Sequence, residues 1–469
     1  MLMVAAALVC ALPARAADAT RIDALERQLG EIQRQLNEIK AAAPGPESLD
    51  SLRRDMEAAN TRLAGRLDAQ PRASLNNGRL TLTSRDGDFS LSLRSVVHFD
   101  AAYFMQGRGP ANVDLASGTN FRRAQLAVAG TAWRDWSYQF TYEFGGLSVP
   151  RAGYIYRAYI QYDGFKPFGL RIGAFAPPAG LEDATGAGNI VFMERASAAN
   201  VARAIAGAGG REAVNVFATG ERYFLSLAFT GGRTNDAATF DEQQALVGRA
   251  AALVSSGELK WVVDANATHV LKVADVAPGP NPPNTFTLSN IPELGVDSVR
   301  TVSTGAIDAR KVTAFGLESA ATLDRFYAQG GWFHYSIARR TALPDPDFSG
   351  WYALATWSLT GETRNYDASA AAFRNPVPAH PLGTPGGFGA LEAKARYSNI
   401  ALDYLPGLAP ASGGVAGGVQ NVWSLGLNWY PTSGLRFMLD YDNIRVRHRL
   451  APTGDITADA IGLRTQISF

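Results

Sequence analysis

The residues best suited to chemistry lie in one short stretch, LEDATGAGNIVFMERASAANVAR, which runs from Leu181 to Arg203. It contains the carboxylates Glu182, Asp183 and Glu194, together with Arg195 and the terminal Arg203. Closely spaced carboxylates can act as a general acid and base, and guanidinium groups can bind an oxyanion through two parallel hydrogen bonds. Whether this stretch is a catalytic loop or a binding loop depends on the strands and loops that position these side chains.

The length, charge and N-terminus of the chain limit the classes of protein to which it can belong. The chain has 469 residues and a formal net charge of +1, which gives no electrostatic reason to expect a nucleic-acid partner. Residues 1–16 are predicted to be a secretory signal peptide, because an apolar core precedes the small-residue pattern Ala14-Arg15-Ala16. The only cysteine, Cys10, lies in that core, so the exported chain would carry no disulfide. No run of about 18 or more consecutive apolar residues indicates a transmembrane helix.

Residues 17–71 are predicted to be a periplasmic coiled-coil segment and linker. Their apolar residues recur at alternating spacings of three and four, which is the heptad pattern of a coiled coil. The first series is Ile22, Leu25, Leu29, Ile32, Leu36 and Ile39. A helix of about three heptads is marginal alone, so we expect a dimer or trimer to supply its stability. The alternative is an amphipathic helix that lies on its own protein.

Residues 80–469 alternate between apolar and polar side chains, which predicts an all-β domain. The segments Trp136–Phe144 and Trp423–Trp429 carry aromatic side chains on one face only, and the last strand ends at Phe469. Strands of about ten residues with an apolar outer face and aromatic ends are typical of a transmembrane antiparallel β-barrel. Short connections largely alternate with long ones over about sixteen strands, as in bacterial outer-membrane barrels. The long segment 362–388 breaks this alternation, since a short turn is expected there.

Six segments of the barrel region resemble the phosphate-selective porins of the O and P family. They are FRRAQLAVAGTAWRDWSYQFTYEF (121–144), GFKPFGLRIGAFAPPAGLED (164–183), FMERA (192–196), GWYALATWSLTGETRNYD (350–367), EAKARYSNIALD (392–403) and NVWSLGLNWYPTSGLRFMLDYDNI (421–444). The resemblance covers most of the chain from about residue 85 to Phe469. It implies a sixteen-stranded trimeric barrel whose lumen is lined by basic residues and passes phosphate or polyphosphate.

The two-residue period assigns side chains to the lumen or to the lipid. With the aromatic residues toward lipid, the lumen receives Arg94, His98, Asp100, Arg123, Gln125, Arg157, Gln161, Arg171, Glu392, Lys394, Arg396, Arg436, Asp440 and Arg464. The same register places Tyr154, Tyr156 and Tyr162 on the lipid face. An Arg or Lys on that face near the middle of the bilayer would cost about 2–4 kcal/mol, and this register avoids nearly all of that cost. The excess of inward arginines over carboxylates favours anions.

The stretch 181–203 lies in the third external loop, predicted at 177–211. In porins similar to this chain, that loop folds inward and narrows the pore. The resemblance places Arg195, of the FMERA motif, and the pair Arg122 and Arg123 at family positions in the constriction. These three are the first candidates for contact with an anion, followed by Arg157, Arg171 and Arg203. The family also uses lysine near the constriction, but 177–211 contains none, so a weakly selective general porin remains the alternative.

An enzymatic alternative rests on His334 and Ser336, which share one face of a predicted strand. An outer-membrane phospholipase uses this spacing for its base and nucleophile, but Ile337 stands where that family has an asparagine. No metal-binding or nucleotide-binding motif occurs elsewhere. The sequence therefore predicts a passive porin of the bacterial outer membrane, surrounded by lipid and trimeric, with no catalytic residue, metal or cofactor. Its predicted solutes are inorganic phosphate or other small anions.

Overall fold

The computed structural model describes residues 23–38, 46–68, 70–76, 78–110, 113–146, 153–236, 241–275, 284–449 and 454–469. The predicted signal peptide, residues 1–16, lies outside the described residues. The chain divides into two compact units, Met1–Gln70 and Pro71–Phe469.

The first unit contains two helices, α1 (23–38) and α2 (Pro46–Asp68). Pro46 occupies the first position of α2, where its missing N–H is not needed and its fixed φ suits a helix. Leu25 and Leu29 of the heptad series are half or more exposed, and so is Leu63 of α2. These side chains leave an apolar stripe available for partner helices. The coiled coil itself stays a prediction.

A closed antiparallel barrel forms the second unit. Among the described residues its sheet contains 19 hydrogen-bonded strands. Of these, β1 (Arg72–Asn76) and β2 (Arg79–Thr83) form an attached hairpin, and β12 (Thr285–Phe286) is a short strand within a loop that pairs with the wall. The sixteen strands of the wall are β3 (Ser90–Arg108), β4 (Gly118–Ala132), β5 (Trp136–Glu143), β6 (Tyr154–Tyr162), β7 (Phe168–Phe175), β8 (Arg211–Thr219), β9 (Tyr223–Arg233), β10 (Gln244–Ser256), β11 (Leu259–Lys272), β15 (Ile307–Leu323), β16 (Phe326–Arg339), β17 (Asp347–Ser358), β20 (Ala390–Tyr404), β21 (Val415–Thr432), β22 (Leu435–Arg447) and β23 (Ile456–Ser468). The wall closes because β23 pairs with β3, with Leu463 opposite Ala101. The prediction of a barrel of about sixteen strands is therefore confirmed.

The outer face of the wall is apolar, because side chains alternate along every strand. In β9, Leu225, Leu227 and Phe229 are about half exposed, whereas the residues between them are buried. Aromatic rings lie at the end of the barrel that has the short turns, where Trp136 contacts Tyr162 with 5.0 Å between ring centroids. An apolar band edged by aromatic rings matches the hydrocarbon layer of an outer membrane. Among the described residues, no helix is both long and apolar enough to cross a bilayer.

Three connections fold into the lumen. The lumen loop (176–210) joins β7 to β8 and contains α3 (Leu181–Thr185) and α4 (Ser197–Ala206). The outer loop (273–306, described at 273–275 and 284–306) joins β11 to β15 and contains β12 (Thr285–Phe286), β13 (Ser289–Asn290) and β14 (Val302–Ser303). The turn segment (359–389) joins β17 to β20 and contains a hairpin of β18 (Arg364–Asp367) and β19 (Ala372–Pro376). The lumen is therefore narrowed from both ends.

The three inserted segments share one apolar core inside the barrel. Among the buried side chains of α4, those that recur at helical spacing are Ala198, Val201, Ala202 and Ile205. This face packs on β16, β17 and β20 of the wall. Leu294 of the outer loop and Phe373 of the turn segment are wholly buried in the same cluster. The segment 362–388 breaks the short-turn pattern because it contributes to this core.

Candidate functional site

A β-bulge in β4 places two consecutive arginines in the lumen. The pairing with β3 passes from His98–Arg123 to Phe99–Phe121, which leaves Arg122 as an inserted residue. A bulge re-aims side chains that strict alternation would send to opposite faces. Arg122 and Arg123 therefore both point inward, although a period of two allows only one of them to do so.

A second bulge lies close by in β6. Its pairing with β5 passes from Thr141–Arg157 to Tyr142–Ile155, which leaves Tyr156 as the inserted residue. Tyr156 and Arg157 both line the same internal cavity. The two bulges together bring three cationic side chains and one phenol to the part of the wall that faces the lumen loop.

Tyr154 and Tyr156 lie in the lumen, so their assignment to the lipid face is wrong. Tyr154 stands opposite Glu143, which is buried on the inner face. The ring of Tyr156 covers Gly209 of the lumen loop so closely that a Cβ at Gly209 would lie 1.9 Å from it. The period fails here because the bulge shifts the alternation by one residue. Tyr162, beyond the bulge, keeps its predicted outward position.

Glu194 of the lumen loop binds two arginines of the wall. Arg122 donates to its two carboxylate oxygens at 2.6 and 3.0 Å, and Arg464 donates to Oε1 at 3.4 Å. Burial alone would raise the pKa of Glu194, but the attraction of Arg122, Arg464 and Arg123 outweighs it and lowers the pKa to about 2. Glu194 is therefore charged near neutral pH and is unsuited to the role of a general acid.

Asp183 lies close to both arginines of the stretch 181–203, Arg195 and Arg203. Arg203 Nε donates to Asp183 Oδ1, and Arg195 Nη2 lies 3.6 Å from the same oxygen. The Nε of Arg195 is buried and has no hydrogen-bond partner in the described part of the chain. Asp183 therefore neutralises Arg203 closely and Arg195 only in part. The carboxylates at 183 and 194 hold the loop in place.

Four cations of β20, β22 and β23 hold the backbone of the lumen loop from one side. They donate to carbonyl oxygens of residues 190–194: Arg436 to Ile190 and Val191 at 2.8 and 2.7 Å, Lys394 to Val191 at 3.1 Å, Arg396 to Glu194 at 2.7 Å and Arg464 to Met193 at 2.5 Å. These side chains are inward, as the two-residue period predicts. Because they are buried and bonded to the loop, they are withdrawn from any passing solute. We call β20–β23 the anchoring wall.

The adjoining side of the lumen, β3–β7, carries Arg122, which pairs with Glu194, and further arginines without carboxylate partners among the described residues; we call it the open wall. Within the described residues, Arg123 and Arg157 form no ion pair, and Nε of Arg123 has no hydrogen-bond partner. Arg171 donates to Gln161 Oε1 at 2.7 Å and lies over the ring of Tyr159 at 4.5 Å. Of the six predicted site residues, Arg122 and Arg203 are thus neutralised by close carboxylates, Arg195 lies 3.6 Å from Asp183, and Arg123, Arg157 and Arg171 form no ion pair within the described residues.

Tyr156 is a site residue that the sequence did not reveal. The charges of Arg203, Arg157, Arg123 and Arg195 all act on its phenol, so it marks the point where the open wall and the lumen loop converge. The sequence places Tyr156 on an alternating aromatic face, which indicates contact with lipid and not a position in the lumen. Only knowledge of the bulge in β6 could have identified it.

A cavity of about 960 Å³ continues from this point toward the end of the barrel with the short turns, and we call it the vestibule. Its cationic lining residues are Arg79, Arg94, Arg157, Arg171, Arg249 and Arg374. Two of these are paired, Arg249 with Asp264 and Arg374 with Asp367, at 2.6 and 2.7 Å. Arg79 was not among the residues predicted from the sequence to face the lumen, because it lies on the attached hairpin, outside the barrel strands. The unpaired arginines give the vestibule a positive field.

Within the described part of the chain, the carboxylate of Glu182 in the lumen loop accepts only long hydrogen bonds, from the N–H of Ala196 at 3.3 and 3.4 Å. Burial raises its pKa to about 7, against the attraction of Arg396 and Arg195. The carboxylate is therefore charged above that pH and neutral below it. We expect the lumen to become more positive, and anion preference to rise, as the pH falls from about 8 to about 6.

Reversal potentials measured across a salt gradient at both pH values test this expectation. The variant Glu182→Gln should show a smaller change of anion preference over this interval than the wild type. A pH response that persists unchanged in Glu182→Gln would assign it to another group.

The phospholipase alternative has its two residues on β16. Ser336 stands opposite Thr313 of β15, and the His334 imidazole stacks on Trp332 with 6.1 Å between ring centroids. The imidazole is thus engaged with an aromatic ring and not with the hydroxyl of Ser336. Across the described ranges, no group of three or more His, Cys, Asp and Glu side chains is placed to hold a metal ion.

Comparison with known proteins gives consistent matches. The family model described as phosphate-selective porin O and P matches residues 91–469. Porin O of Pseudomonas aeruginosa is 25% identical over 417 residues, which are 84% of this chain and 91% of that protein. Among solved structures, OmpT of Vibrio cholerae has a TM-score of 0.49 at 12% identity, covering 81% of this chain and 98% of that one. An anion-selective porin from Comamonas acidovorans has a TM-score of 0.45 at 10% identity, covering 81% and 100%.

Proposed function

Because this chain belongs to the phosphate-selective porin O and P family, and is thus an outer-membrane porin, we propose that it passes small anions, with phosphate or polyphosphate preferred. The observation that carries this proposal is the division of the lumen into two walls. The cations of the anchoring wall are bonded to the lumen loop, whereas Arg123, Arg157 and Arg171 of the open wall have no carboxylate partner among the described residues.

The physical basis is electrostatic. On this proposal an anion passes Arg195 and Arg123, which lie close enough to act on each other, and then Arg157 and Arg171, which line the vestibule. In a narrow site with little water, each guanidinium attracts an anion more strongly than it would in bulk solvent. A guanidinium also matches two oxygens of phosphate at once, which chloride cannot reproduce. Several weak sites in series allow the anion to leave as well as to enter.

The second candidate is a weakly selective general porin. It is favoured by the pairing of Arg122 with Glu194 and of Arg203 with Asp183, which removes two of the expected positive charges from the constriction. The vestibule also contains the carboxylates of Asp163 and Asp183. This arrangement reduces the net field on an anion without reversing it.

We further propose that the working unit is a homotrimer in the lipid of the outer membrane, without enzymatic activity or a bound cofactor. Porin O of Pseudomonas aeruginosa, with its 25% identity, supports the channel rather than the phospholipase. The exposed stripe of α1 and α2 suits an association of several chains.

The test is the reversal potential of the purified channel in planar bilayers, across gradients of chloride and then of phosphate. We expect anion preference in both, with chloride conductance reduced when phosphate is added, because phosphate occupies the arginine sites longer. Arg195→Ala should weaken both effects. Cation preference in the wild type would contradict the proposal, and unchanged potentials in Arg195→Ala would remove Arg195 from the site.

A further inference from the structure

We propose that the turn segment (359–389) fixes the position of the lumen loop and thereby sets the conductance of the pore, with Arg374 and Asn375 as positioning residues. Both residues lie on β19, which enters the lumen from the end of the barrel opposite to the lumen loop. The inference concerns the width and steadiness of the channel, so it does not depend on which ion is preferred.

Arg374 joins the turn segment to the end of helix α3. Its Nη1 donates to the carbonyl of Thr185 at 2.7 Å and, more weakly, to that of Ala184 at 3.4 Å. Its Nε and Nη2 donate to Asp367 of the same hairpin at 2.9 and 2.7 Å. A cation at the last carbonyls of a helix is favourable because those oxygens lack partners within the helix and carry the negative end of its dipole. Arg374 is thus held by its own hairpin while it binds the loop.

Asn375 extends the contact to the next residues of the loop. Its Nδ2 donates to the carbonyl of Gly188 at 2.8 Å, and its backbone N–H donates to the side chain of Asn189 at 3.2 Å. The chain between α3 and these residues turns at Gly186, whose φ of 78° suits glycine. Hydrogen bonds from outside the loop therefore secure a part of its backbone that has no helix of its own.

The turn segment is itself firmly attached to the wall. Arg249 of β10 donates to the carbonyls of Ala370 and Ala371 at 2.6 and 3.0 Å. Arg364 binds both carboxylate oxygens of Glu392 on β20 at 2.8 and 2.7 Å. The segment therefore transmits the rigidity of the barrel to the lumen loop.

This contact borders the vestibule. Arg374 and Asn375 line the vestibule together with Asp183, the carboxylate that holds Arg203 and Arg195. Asp183 lies on α3, two residues before the carbonyl that Arg374 binds. A displacement of α3 would therefore change the opening and move the counter-charge of Arg195 at the same time.

The experiment compares single-channel currents of Arg374→Ala and Asn375→Asp with those of the wild type. Asn375→Asp has nearly the same shape but places a carboxylate against the Gly188 carbonyl, so it keeps the test valid if Arg374→Ala folds poorly. We expect a second, wider conductance level, occupied on the order of tenfold more often than in the wild type. Arg374→Ala loses a hydrogen bond from a charged donor, and Asn375→Asp replaces a neutral donor with a carboxylate that repels the carbonyl. Arg374→Lys, which retains one donor, should restore most of the wild-type behaviour.

Arg325→Ala is the matched control. Arg325 is also an arginine of a short-turn connection beside an aspartate, Asp324, at 3.2 Å, but it is exposed at the rim of the barrel. Currents indistinguishable from the wild type in both Arg374→Ala and Asn375→Asp would overturn the proposal, as would an equal change in Arg325→Ala. Reversal potentials from the same recordings test the proposed anion preference separately.

Discussion

Replacing Arg123 with alanine is expected to reduce the anion preference of the channel more than any other single substitution on the open wall. Arg123 is buried and lies beside Arg122, Arg195 and the phenol of Tyr156, without an ion pair in the described part of the chain. A unit charge about 5 Å from a passing anion contributes about 3 kcal/mol at an effective dielectric constant of about 20. Occupancy of the constriction by an anion should therefore fall by more than tenfold.

Reversal potentials in chloride and phosphate gradients measure this effect. Arg134→Ala is the control, because Arg134 lies in an exposed turn and is paired with Asp88 at 2.8 Å. Arg123→Lys separates charge from shape: it should preserve chloride preference but lose much of the preference for phosphate, since an ammonium group lacks the planar fork. If Arg123→Ala left the reversal potential at the wild-type value, the open wall would not be the path of the anion.

Glu293→Gln is expected to release the lumen loop and the outer loop from the wall. Glu293 lies on the outer loop, with its Oε2 2.6 Å from Nη2 of Arg396 on β20. Its Oε1 accepts hydrogen bonds from the backbone N–H and hydroxyl of Ser197, at 2.6 and 2.5 Å, and from the hydroxyl of Ser398. Helix α4 begins after Ala196, which has no side chain to cap it, so Glu293 supplies the cap from another loop.

The expected loss is large because the substitution would leave the guanidinium of Arg396 buried without its counter-charge. Breaking a buried ion pair from one side costs about 3–5 kcal/mol. Glu293 also holds a left-handed φ of 64°, a conformation maintained only while its contacts compensate for the strain. We therefore expect the released loops to sample positions away from the wall.

Limited trypsin digestion of the folded porin measures this release, since the lumen loop contains Arg195 and Arg203 and both are protected while the loop is docked. The wild type should resist cleavage there, whereas Glu293→Gln should be cut. Glu258→Gln, at an exposed turn between β10 and β11, is the control. Equal resistance in Glu293→Gln and Glu258→Gln would show that the cap and the ion pair are dispensable.

Much of the barrel could be predicted from the sequence because the alternation of apolar and polar residues is visible within each strand separately. A half-buried strand must alternate, and Trp136 to Glu143 does so without reference to the rest of the chain. The inward direction of Lys394, Arg396 and Arg436 followed from the same rule. Such inferences hold wherever neighbouring strands stay in regular register.

The parts that escaped prediction depend on contacts between distant residues. The bulge that turns Tyr156 inward is visible only in the pairing of β5 with β6. The sequence shows an arginine at 436 but not that its guanidinium binds the carbonyls of Ile190 and Val191. A count of inward arginines therefore overstates the positive charge that a solute meets. The path of the segment 362–388 was equally hidden, because its apolar residues pack on elements far away in the chain.

The seam between β3 and β23 carries a consequence for the order of assembly. Arg464 on the last strand binds Asp100 on the first strand through two hydrogen bonds of 2.6 Å, and it also binds the Met193 carbonyl of the lumen loop. This anchoring point for the loop is complete only when the first and last strands of the wall, β3 and β23, have paired. A nascent barrel with an open seam lacks it, so the final docking of the loop must follow closure. The lumen loop is therefore among the last parts of the molecule to reach its folded position. A correctly docked loop implies that the barrel around it has closed.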